Sequence, residues 1–297
     1  MSEHHVPGLN AVITKGYAAY KWLLIRRTVQ LLFLGLFLIG PLTGFWIVKG
    51  TATSSITLGF LELTDPYVAL QSLVAGHITG TAAIIGAAIL FTVYALIGGR
   101  TYCSFFCPVN IVTDAAHWLA QLFGVDRGIR LNRHTRLWVL GMTLVVSAVT
   151  GTIAWEFVNP VTLTHRGLVF GIGFAWSAAA MVFLFDLFVS RRGWCSHLCP
   201  VGAFYSLVGS FSLIRISAQD RAKCNNCMDC FAVCPEPHTI TPALKGDGGP
   251  LVLSGDCTNC GRCIDVCAEN VFKFGLRTNN HRPELTPVAE FPSRKAA

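Results

Sequence analysis

The sequence predicts an α-helical membrane domain of four spans, arranged as two repeated hairpins and followed by a small cysteine-rich α+β domain. Three observations support this fold class. Of the 297 residues, 53% are hydrophobic and only 13% are charged, whereas soluble domains carry about 25% charged residues. A motif around Cys103 recurs around Cys195. The twelve cysteines fall into four compact groups, two of them close to the C-terminus.

Four segments reach the roughly 20 apolar residues that a spanning helix needs. These predicted spans are 28–48, 77–98, 136–155 and 168–190. A shorter apolar run follows them, and we expect it to form an interfacial helix that links the two domains. The predicted units are an N-terminal segment, the membrane domain, the linker, the cysteine-rich domain and a tail, at 1–27, 28–200, 201–214, 215–278 and 279–297.

Lys and Arg residues beside the spans predict the orientation. On one side lie Lys15, Lys21, Arg26, Arg27, Arg100, Arg127, Arg130, Arg133, Arg136, Arg191 and Arg192, and on the other lie only Lys49 and Arg166. By the positive-inside rule both termini are cytoplasmic, and the loops 49–76 and 156–167 face outside. The sequence therefore predicts a multi-pass protein of a bacterial inner membrane. Because the cations flank apolar runs, the net charge of +7 does not indicate a nucleic-acid partner.

The membrane domain contains an internal repeat. The segment 99–109 matches 192–201, and the segment 61–66 matches 155–160. Each copy is predicted to hold a helix, an outer turn with Glu and Pro, a second helix and an inner cysteine pair. Since both copies run in the same direction, we expect a pseudo-symmetry axis along the membrane normal.

The C-terminal domain holds two Cys-x2-Cys-x2-Cys-x3-Cys quartets, which begin at Cys224 and Cys257. This spacing is typical of two-cluster ferredoxins, in which the fourth cysteine of each quartet ligates the other [4Fe–4S] cluster. Zinc does not need the doubled spacing, and disulfides are rare in the cytoplasm. The predicted ligands are Cys224, Cys227, Cys230 and Cys267 for the first cluster, and Cys257, Cys260, Cys263 and Cys234 for the second.

Two further cysteine pairs follow the second and fourth predicted spans. A spacing of four residues places both sulfurs of a pair on one face of a helix, and the repeat could bring the two pairs together. Four thiolates suit an iron–sulfur cluster, Cu(I) or zinc. The alternative is a set of buried thiols with structural roles. This possible third redox or metal site consists of Cys103, Cys107, Cys195 and Cys199.

The order of four spans, two Cys-x3-Cys-Pro motifs and a terminal two-cluster domain resembles the ferredoxin-type membrane quinol dehydrogenases. Within them the pattern is most similar to the H subunits of periplasmic nitrate reductase (Nap) systems, over nearly the whole chain. The segments that carry this similarity are 63–66, 70–73, 193–195, 227–231 and 234–238. The homologues of methylamine utilisation share the same architecture. Related families add an outer flavin domain or a C-terminal immunoglobulin-like domain, for which this sequence has no room.

The resemblance implies that membrane quinol is oxidised and that its electrons reach a periplasmic ferredoxin-type G subunit or a membrane tetrahaem c-type cytochrome. From there they would pass to the molybdenum nitrate reductase. The chain itself has no Cys-x2-Cys-His motif for covalent haem. Two alternatives stay open. The clusters could reduce a metal or a disulfide during assembly of another redox enzyme, or the chain could dock a soluble electron carrier.

A quinol site needs groups that accept protons in a pocket open to lipid. Acids and histidines near the outer ends of the predicted spans are candidates, although acids in loops are often simply solvated. Asp65 and Asn159 occupy the same repeated turns. The predicted quinol site consists of Glu62, Glu156, His77 and His165.

Overall fold

The computed structural model describes residues 6–57, 59–77, 80–125, 132–171, 173, 176–246 and 249–278. Arg127, Arg130 and the tail 279–297 lie outside the described residues. The helices before residue 210 are α1 (Leu9–Lys15), α2 (Lys21–Thr43), α3 (Pro66–Val74), α4 (Thr81–Ile97), α5 (Thr101–Phe105), α6 (Val109–Leu122), α7 (Thr135–Thr150), α8 (Pro160–Phe170), α9 (Trp176–Phe188) and α10 (Pro200–Gly209).

One helical stretch within the described ranges, Leu9–Thr43, is long and apolar enough to cross a bilayer. It comprises α1, a short 3-10 turn and α2. The helices in the other predicted spans are shorter, and α4 is the longest of them with 17 residues. At 1.5 Å per residue, α4 covers about 26 Å, slightly less than the roughly 30 Å of hydrocarbon. The arrangement of four spans in two hairpins therefore stays a prediction.

The fourth predicted span, 168–190, is not one helix. α8 ends at Phe170, where Gly171 has φ of 67°, and α9 begins only at Trp176. A left-handed residue satisfies the last carbonyls of a helix but cannot continue it, and glycine adopts that conformation at little cost. The apolar composition of the segment predicted one continuous helix, but the break at Gly171 divides it into two.

Two short helices begin at equivalent turns of the repeat. Asp65 caps α3 by accepting a hydrogen bond from the Tyr67 amide at 2.8 Å. Asn159 caps α8 by accepting one from the Val161 amide at 3.1 Å. Asp and Asn are favoured caps, and the proline that follows each suits the first helical position. Both capping residues are buried, so each turn carries a polar side chain into the interior of the bundle.

The chain before α3 forms an antiparallel sheet, with strands β1 (Val48–Gly50), β2 (Ser54–Thr57) and β3 (Leu61–Thr64) in sequential order. β3 lies directly against α4. A Cβ at Gly86 would come within 1.8 Å of the Glu62 carbonyl oxygen, so only glycine permits this approach. The segment 49–76, expected as an outer loop, is therefore a packed sheet and helix.

The C-terminal domain is a small α+β unit. Strands β4 (Ile214–Ser217) and β5 (Lys273–Leu276) pair antiparallel. They pack with the short helices α11 (Asp229–Val233), α12 (Thr241–Lys245) and α13 (Arg262–Val266). Its core contains Ile216, Ile240, Val252, Val271 and Phe272 together with several of the cysteines.

The helix α10 connects the two domains from a buried position. It packs against α4 and α7, and its Tyr205 is only 1% exposed. A Cβ at Gly255 of the C-terminal domain would lie 2.0 Å from the Ser206 carbonyl oxygen. The predicted linker 201–214 thus begins as a helix of the bundle instead of lying along a surface.

A buried carboxylate joins three separate parts of the helical domain. Asp114 on α6 lies 2.5 Å from Arg27 and 3.4 Å from Arg26 on α2, and 2.7 Å from Arg192, which follows α9. Burial raises the pKa of Asp114, but the three guanidinium groups outweigh it and hold the pKa below its usual value. The carboxylate is therefore ionised at neutral pH and fixes α2, α6 and the chain after α9 together.

Asp114→Asn should destabilise the protein by roughly 3–5 kcal/mol, because the buried Arg26 loses its compensating charge. The measurement is thermal unfolding of the detergent-solubilised protein. Asp220→Asn is the matched control, since Asp220 forms ion pairs with the exposed Lys223 and Lys273, and its Tm should hardly change. Because the pKa of Asp114 is lower in the folded state than in the unfolded state, its carboxylate stabilises the fold at pH values above the unfolded-state pKa. The difference in Tm between Asp114→Asn and wild type should therefore persist at pH 7 and shrink below about pH 4. Equal Tm values for both variants would contradict the structural role of Asp114.

Candidate functional site: three cysteine-lined cavities

The first three cysteines of each C-terminal quartet surround a cavity together with the fourth cysteine of the other quartet. The first cavity is lined by Cys224, Cys227, Cys230 and Cys267, and the second by Cys234, Cys257, Cys260 and Cys263. The fourth cysteines are exchanged because α11 and α13 pack against each other. The side chains are thus grouped as the two predicted ligand sets require.

The local backbone explains why three cysteines of a quartet face one cavity. Asn226 and Asn259 have φ of 60° and 46°, and the residues that precede α11 and α13, Met228 and Gly261, have φ of 66° and 71°. Left-handed residues at alternate positions curl the chain tightly, and Asn and Gly tolerate that conformation best. At Gly261 the space is also closed, since a Cβ would lie 2.4 Å from the Trp22 ring.

The four remaining cysteines converge on a third cavity, of about 30 Å³. Cys103 lies on α5 and Cys107 just after it, whereas Cys195 lies in a helical turn and Cys199 caps α10. The two Cys-x3-Cys-Pro motifs therefore meet, as the repeat suggested. Two polar residues of the repeated turns, Asp65 and Asn159, also line this third cavity.

The donor set of the third cavity fits a metal cluster. Burial raises the pKa of Cys103, which Arg100 partly offsets, and burial raises the pKa of Cys199 to about 12. Such thiols stay protonated at neutral pH unless a bound metal deprotonates them. No three Cys, His, Asp or Glu residues in the described ranges lie close enough to share a single ion. Four thiols around a cavity suit a cluster of several iron atoms.

A single buried arginine links the third cavity to the second. Arg100, 1% exposed, donates to the Glu236 carboxylate at 2.8 Å and to the Asp256 carbonyl at 3.0 Å. Its other terminal nitrogen donates to the Cys195 carbonyl at 3.1 Å. Glu236 lines the second cavity together with Cys234. The Arg100 guanidinium group therefore bridges residues around the second cavity and residues around the third.

A second polar contact reinforces the same interface. The Asp256 carboxylate accepts a hydrogen bond from the Ser206 hydroxyl at 2.5 Å, forms an ion pair with Arg136, and lies 3.1 Å from His238 Nε2. Although burial raises the pKa of Asp256, these partners together hold it below its usual value. The C-terminal domain is thus fixed to α7 and α10 by an ionised carboxylate.

Asp65 separates the third cavity from a larger apolar cavity. One of its carboxylate oxygens accepts the helix-capping bond, and the other accepts a hydrogen bond from the Tyr205 hydroxyl at 2.9 Å. Burial raises the pKa of Asp65 to about 6, although both hydrogen bonds oppose the shift. Asp65 and Tyr102 line both cavities. The larger one measures about 300 Å³ and lies mainly among aromatic and aliphatic side chains of α2, α4 and α5.

Comparison with known protein families finds the iron–sulfur signature in both domains. Residues 79–126 and 172–218 each match a family described as a 4Fe-4S binding domain. Residues 216–268 match a 4Fe-4S dicluster domain. The first family thus matches both copies of the repeat, including all four cysteines of the third cavity. No solved structure matches the chain.

Full-length relatives decide the family. MauN of Paracoccus denitrificans, a methylamine utilization ferredoxin-type protein, is 58% identical over 88% of this chain and 92% of its own. MauN of Methylorubrum extorquens is 54% identical over 89% and 92%. The ferredoxin-type protein NapH of Escherichia coli is 46% identical over 91% and 95%. This chain belongs to the NapH and MauN family of ferredoxin-type proteins. It is an iron–sulfur protein of electron transport.

In this family member none of the four residues of the predicted quinol site lines the two cavities that share Asp65, although Glu156 and His165 each contact a residue that does. The Glu156 carboxylate accepts hydrogen bonds from Asn159 and Thr162. His77 is exposed, with Nε2 at 2.8 Å from the Gly151 carbonyl.

The other two residues of the predicted quinol site, His165 and Glu62, also lie beside residues of neighbouring helices or strands. His165 is buried, and its ring lies edge-on to Phe37 at 4.7 Å between centroids. Glu62 is half-buried on β3, opposite Ile56 of β2. The role of all four in quinol oxidation stays a prediction.

Sequence reasoning missed the tyrosines and the arginine that surround the cysteines. Arg100 and Tyr102 lie within the repeated motif that contains Cys103, so their proximity to the cavity was available as a signal. Tyr94 and Tyr205 lie on helices far apart in sequence and carry no such signal. The Asp-Pro and Asn-Pro caps were visible, but only the packing shows that they point inward.

The exchange of the fourth cysteine can be tested with double variants. Cys227→Ala combined with Cys267→Ala removes two ligands of one predicted cluster, so the iron loss should stay near four atoms per protein. Cys227→Ala combined with Cys263→Ala affects both clusters and should remove about eight atoms. Iron is measured per chain in anaerobically purified, full-length protein. A loss of about eight atoms from the first pair, equal to that from the second, would refute the exchange.

Proposed function

We propose that the protein is a membrane electron-transfer subunit that oxidises quinol and passes the electrons to its iron–sulfur domain. The observation that carries this proposal is the set of three cysteine-lined cavities, of which the second and third are joined by Arg100. The third adjoins an apolar cavity large enough for a small ring. Cysteine sets beside an apolar pocket suit a lipid-soluble electron donor.

The proposed ligands of a third cluster are Cys103, Cys107, Cys195 and Cys199. An iron–sulfur cluster supplies one-electron transfer when it is bound. The protein holds its sulfurs in place through α5, the turn after α9 and the cap of α10. Arg100 donates to the carbonyl of Cys195, and its charge compensates part of the negative charge of the thiolates. Cys107 is buried and the other three cysteines are partly buried, which limits the access of water to the site.

The proposed location is the bacterial inner membrane, with the C-terminal domain on the cytoplasmic side. The four predicted spans and the positive-inside bias of the sequence favour it. The helix Leu9–Thr43 has the length and hydropathy of a span. Two of the cations that predict the orientation, Arg100 and Arg136, form ion pairs with the C-terminal domain, which favours a common side for both.

A four-cysteine variant, with alanine at 103, 107, 195 and 199, tests the third site. Wild type should contain about twelve iron atoms and the variant about eight, because two clusters remain in the C-terminal domain. Reduction of the remaining clusters by a quinol analogue should be lost, whereas reduction by dithionite should be unchanged. The visible spectrum follows both reactions anaerobically. Normal iron content with normal quinol-driven reduction would leave these cysteines with a structural role only.

The electron acceptor defines two candidate pathways. The NapH relatives favour nitrate reduction, in which the partners would be a ferredoxin-type G subunit, a membrane tetrahaem c-type cytochrome and, beyond them, the molybdenum nitrate reductase. The identities to the MauN proteins, 58% and 54% against 46% for NapH, favour methylamine utilisation as the second candidate. In that pathway the same electrons would serve the assembly or activity of another periplasmic enzyme.

Deletion of the coding gene in its host separates these pathways. If the chain serves methylamine utilisation, growth that depends on methylamine should fail while periplasmic nitrate reduction continues. If it serves nitrate reduction, the pattern should be reversed. Complementation with wild type is the positive control, and the four-cysteine variant should fail to complement. Normal growth and normal nitrate reduction in the deletion strain would exclude both acceptors.

A further inference from the structure

The apolar cavity beside Asp65 has the size and the wall of a ligand site. Its volume of about 300 Å³ is roughly ten times that of the cysteine-lined cavity next to it and falls at the lower end of the range for small-molecule pockets. Phe33 and Phe37 of α2 form one wall, and Leu90 and Tyr94 of α4 face them. A flat ring would contact aromatic and aliphatic side chains on both sides.

One end of the cavity is polar. Asp65 lies there, and the Tyr67 amide and the Tyr205 hydroxyl both donate to its carboxylate. Tyr205 stacks on Tyr102 with 5.1 Å between ring centroids and meets Tyr94 edge-on at 5.2 Å. A buried carboxylate in apolar surroundings is costly, and such groups commonly mark functional sites. The remaining acceptor positions of the carboxylate can accept a hydrogen bond from a hydroxyl group of a ligand.

Part of the cavity wall reaches the outer surface of the helical domain. Val93 and Ile97 line the cavity, and they are 39% and 41% exposed. Neighbouring residues of α4, Ile89 and Leu96, are exposed and apolar as well. In a bilayer this face of α4 would contact lipid tails. A ligand with an apolar tail could therefore enter between α2 and α4 without crossing water.

We propose that this cavity binds the ring of a membrane quinol, with one ring hydroxyl donating to the Asp65 carboxylate beside Tyr205 and the tail emerging past Val93 and Ile97. The inference rests on the quinol-linked function proposed above and names its binding site. It places the ring on the opposite side of Asp65 from the four cysteines of the third cavity. It also replaces the dispersed set of Glu62, Glu156, His77 and His165 with one continuous cavity.

The chemistry of the cavity favours a quinol over a lipid acyl chain. An acyl chain has no hydrogen-bond donor for the acceptor positions of the Asp65 carboxylate that Tyr67 and Tyr205 leave open. A quinol matches both ends, because it has a flat ring, a hydroxyl at each side of that ring and an apolar tail. The aromatic residues offer stacked and edge-on contacts to such a ring.

A photoreactive azidoquinone with a short alkyl tail locates the site directly in the full-length protein. After illumination and digestion, adducts should map to α2 near Phe33 and Phe37 and to α4 between Leu90 and Ile97. Excess unlabelled quinone of the same class should suppress them. Adducts confined to the region of His77, Glu62 or Glu156 would overturn the proposal, as would labelling that excess quinone does not suppress.

Two tryptophan variants of α4 provide a matched pair. Leu90→Trp fills the cavity, whereas Ile89→Trp adds the same ring one residue away on the exposed face of the helix. Affinity for a short-tailed quinol is measured by equilibrium binding, which needs no turnover. Leu90→Trp should weaken binding at least about tenfold, the effect of losing roughly 1.4 kcal/mol, and Ile89→Trp should bind like wild type. Equal affinities in the two variants would overturn the proposal.

Asp65→Asn tests the polar end if the filled cavity disturbs folding. Asparagine caps α8 at the equivalent position, Asn159, so α3 should keep its cap. Loss of a charge-assisted hydrogen bond predicts quinol binding weaker by about tenfold or more, with unchanged iron content. Unchanged affinity would refute the role of Asp65.

Binding and turnover separate this inference from the proposed function. If quinol binds in the cavity of wild type but reduces no cluster, the function fails and the site stands. If quinol reduces the clusters while Leu90→Trp and Asp65→Asn bind and react like wild type, the site fails and the function stands. If wild type does not bind quinol at all, the site is wrong.

Discussion

The buried Arg100 guanidinium group holds the architecture together. It donates to the Cys195 carbonyl on the helical side and to Glu236 and the Asp256 carbonyl on the side of the C-terminal domain. Removing one partner of such a buried pair leaves an uncompensated charge, which is far more costly than losing an exposed pair. The interaction therefore permits only one placement of the ferredoxin-type domain, with its second cysteine set against the membrane cysteines.

That placement bears on how electrons could move between distant partners. The predicted topology would separate the outer turns from the inner cysteines by roughly 30 Å of hydrocarbon, with no carrier between them. In the fold, the caps of α3 and α8 reach inward, and Asp65 and Asn159 line the same cavity as the four cysteines. The repeat thus builds a polar centre within the bundle, and the proposed donor site and the proposed third cluster share Asp65 as a common wall.

The cations that predict orientation also have a structural role. Arg26, Arg27 and Arg192 surround Asp114, and Arg136 pairs with Asp256. A count of Lys and Arg cannot distinguish these buried partners from residues at a membrane surface. As orientation signals and as ion-pair partners alike, these residues place positive charge at one end of the helices. The proposed topology and the domain interface therefore agree for a physical reason.

The sequence by itself determined what depends on local spacing: the two quartets, the Cys-x3-Cys-Pro pairs, the repeat and the iron–sulfur chemistry of the family. The exchange of Cys234 and Cys267 could be expected because the motif carries it. Tertiary structure alone decided which distant groups meet. Hydrophobic periodicity could not show that Gly171 divides the fourth apolar segment, that Gly86 admits β3 against α4, or that Asp65 meets Tyr205 across 140 residues. Those contacts arise from packing between elements, and packing is not encoded in any single stretch of the chain.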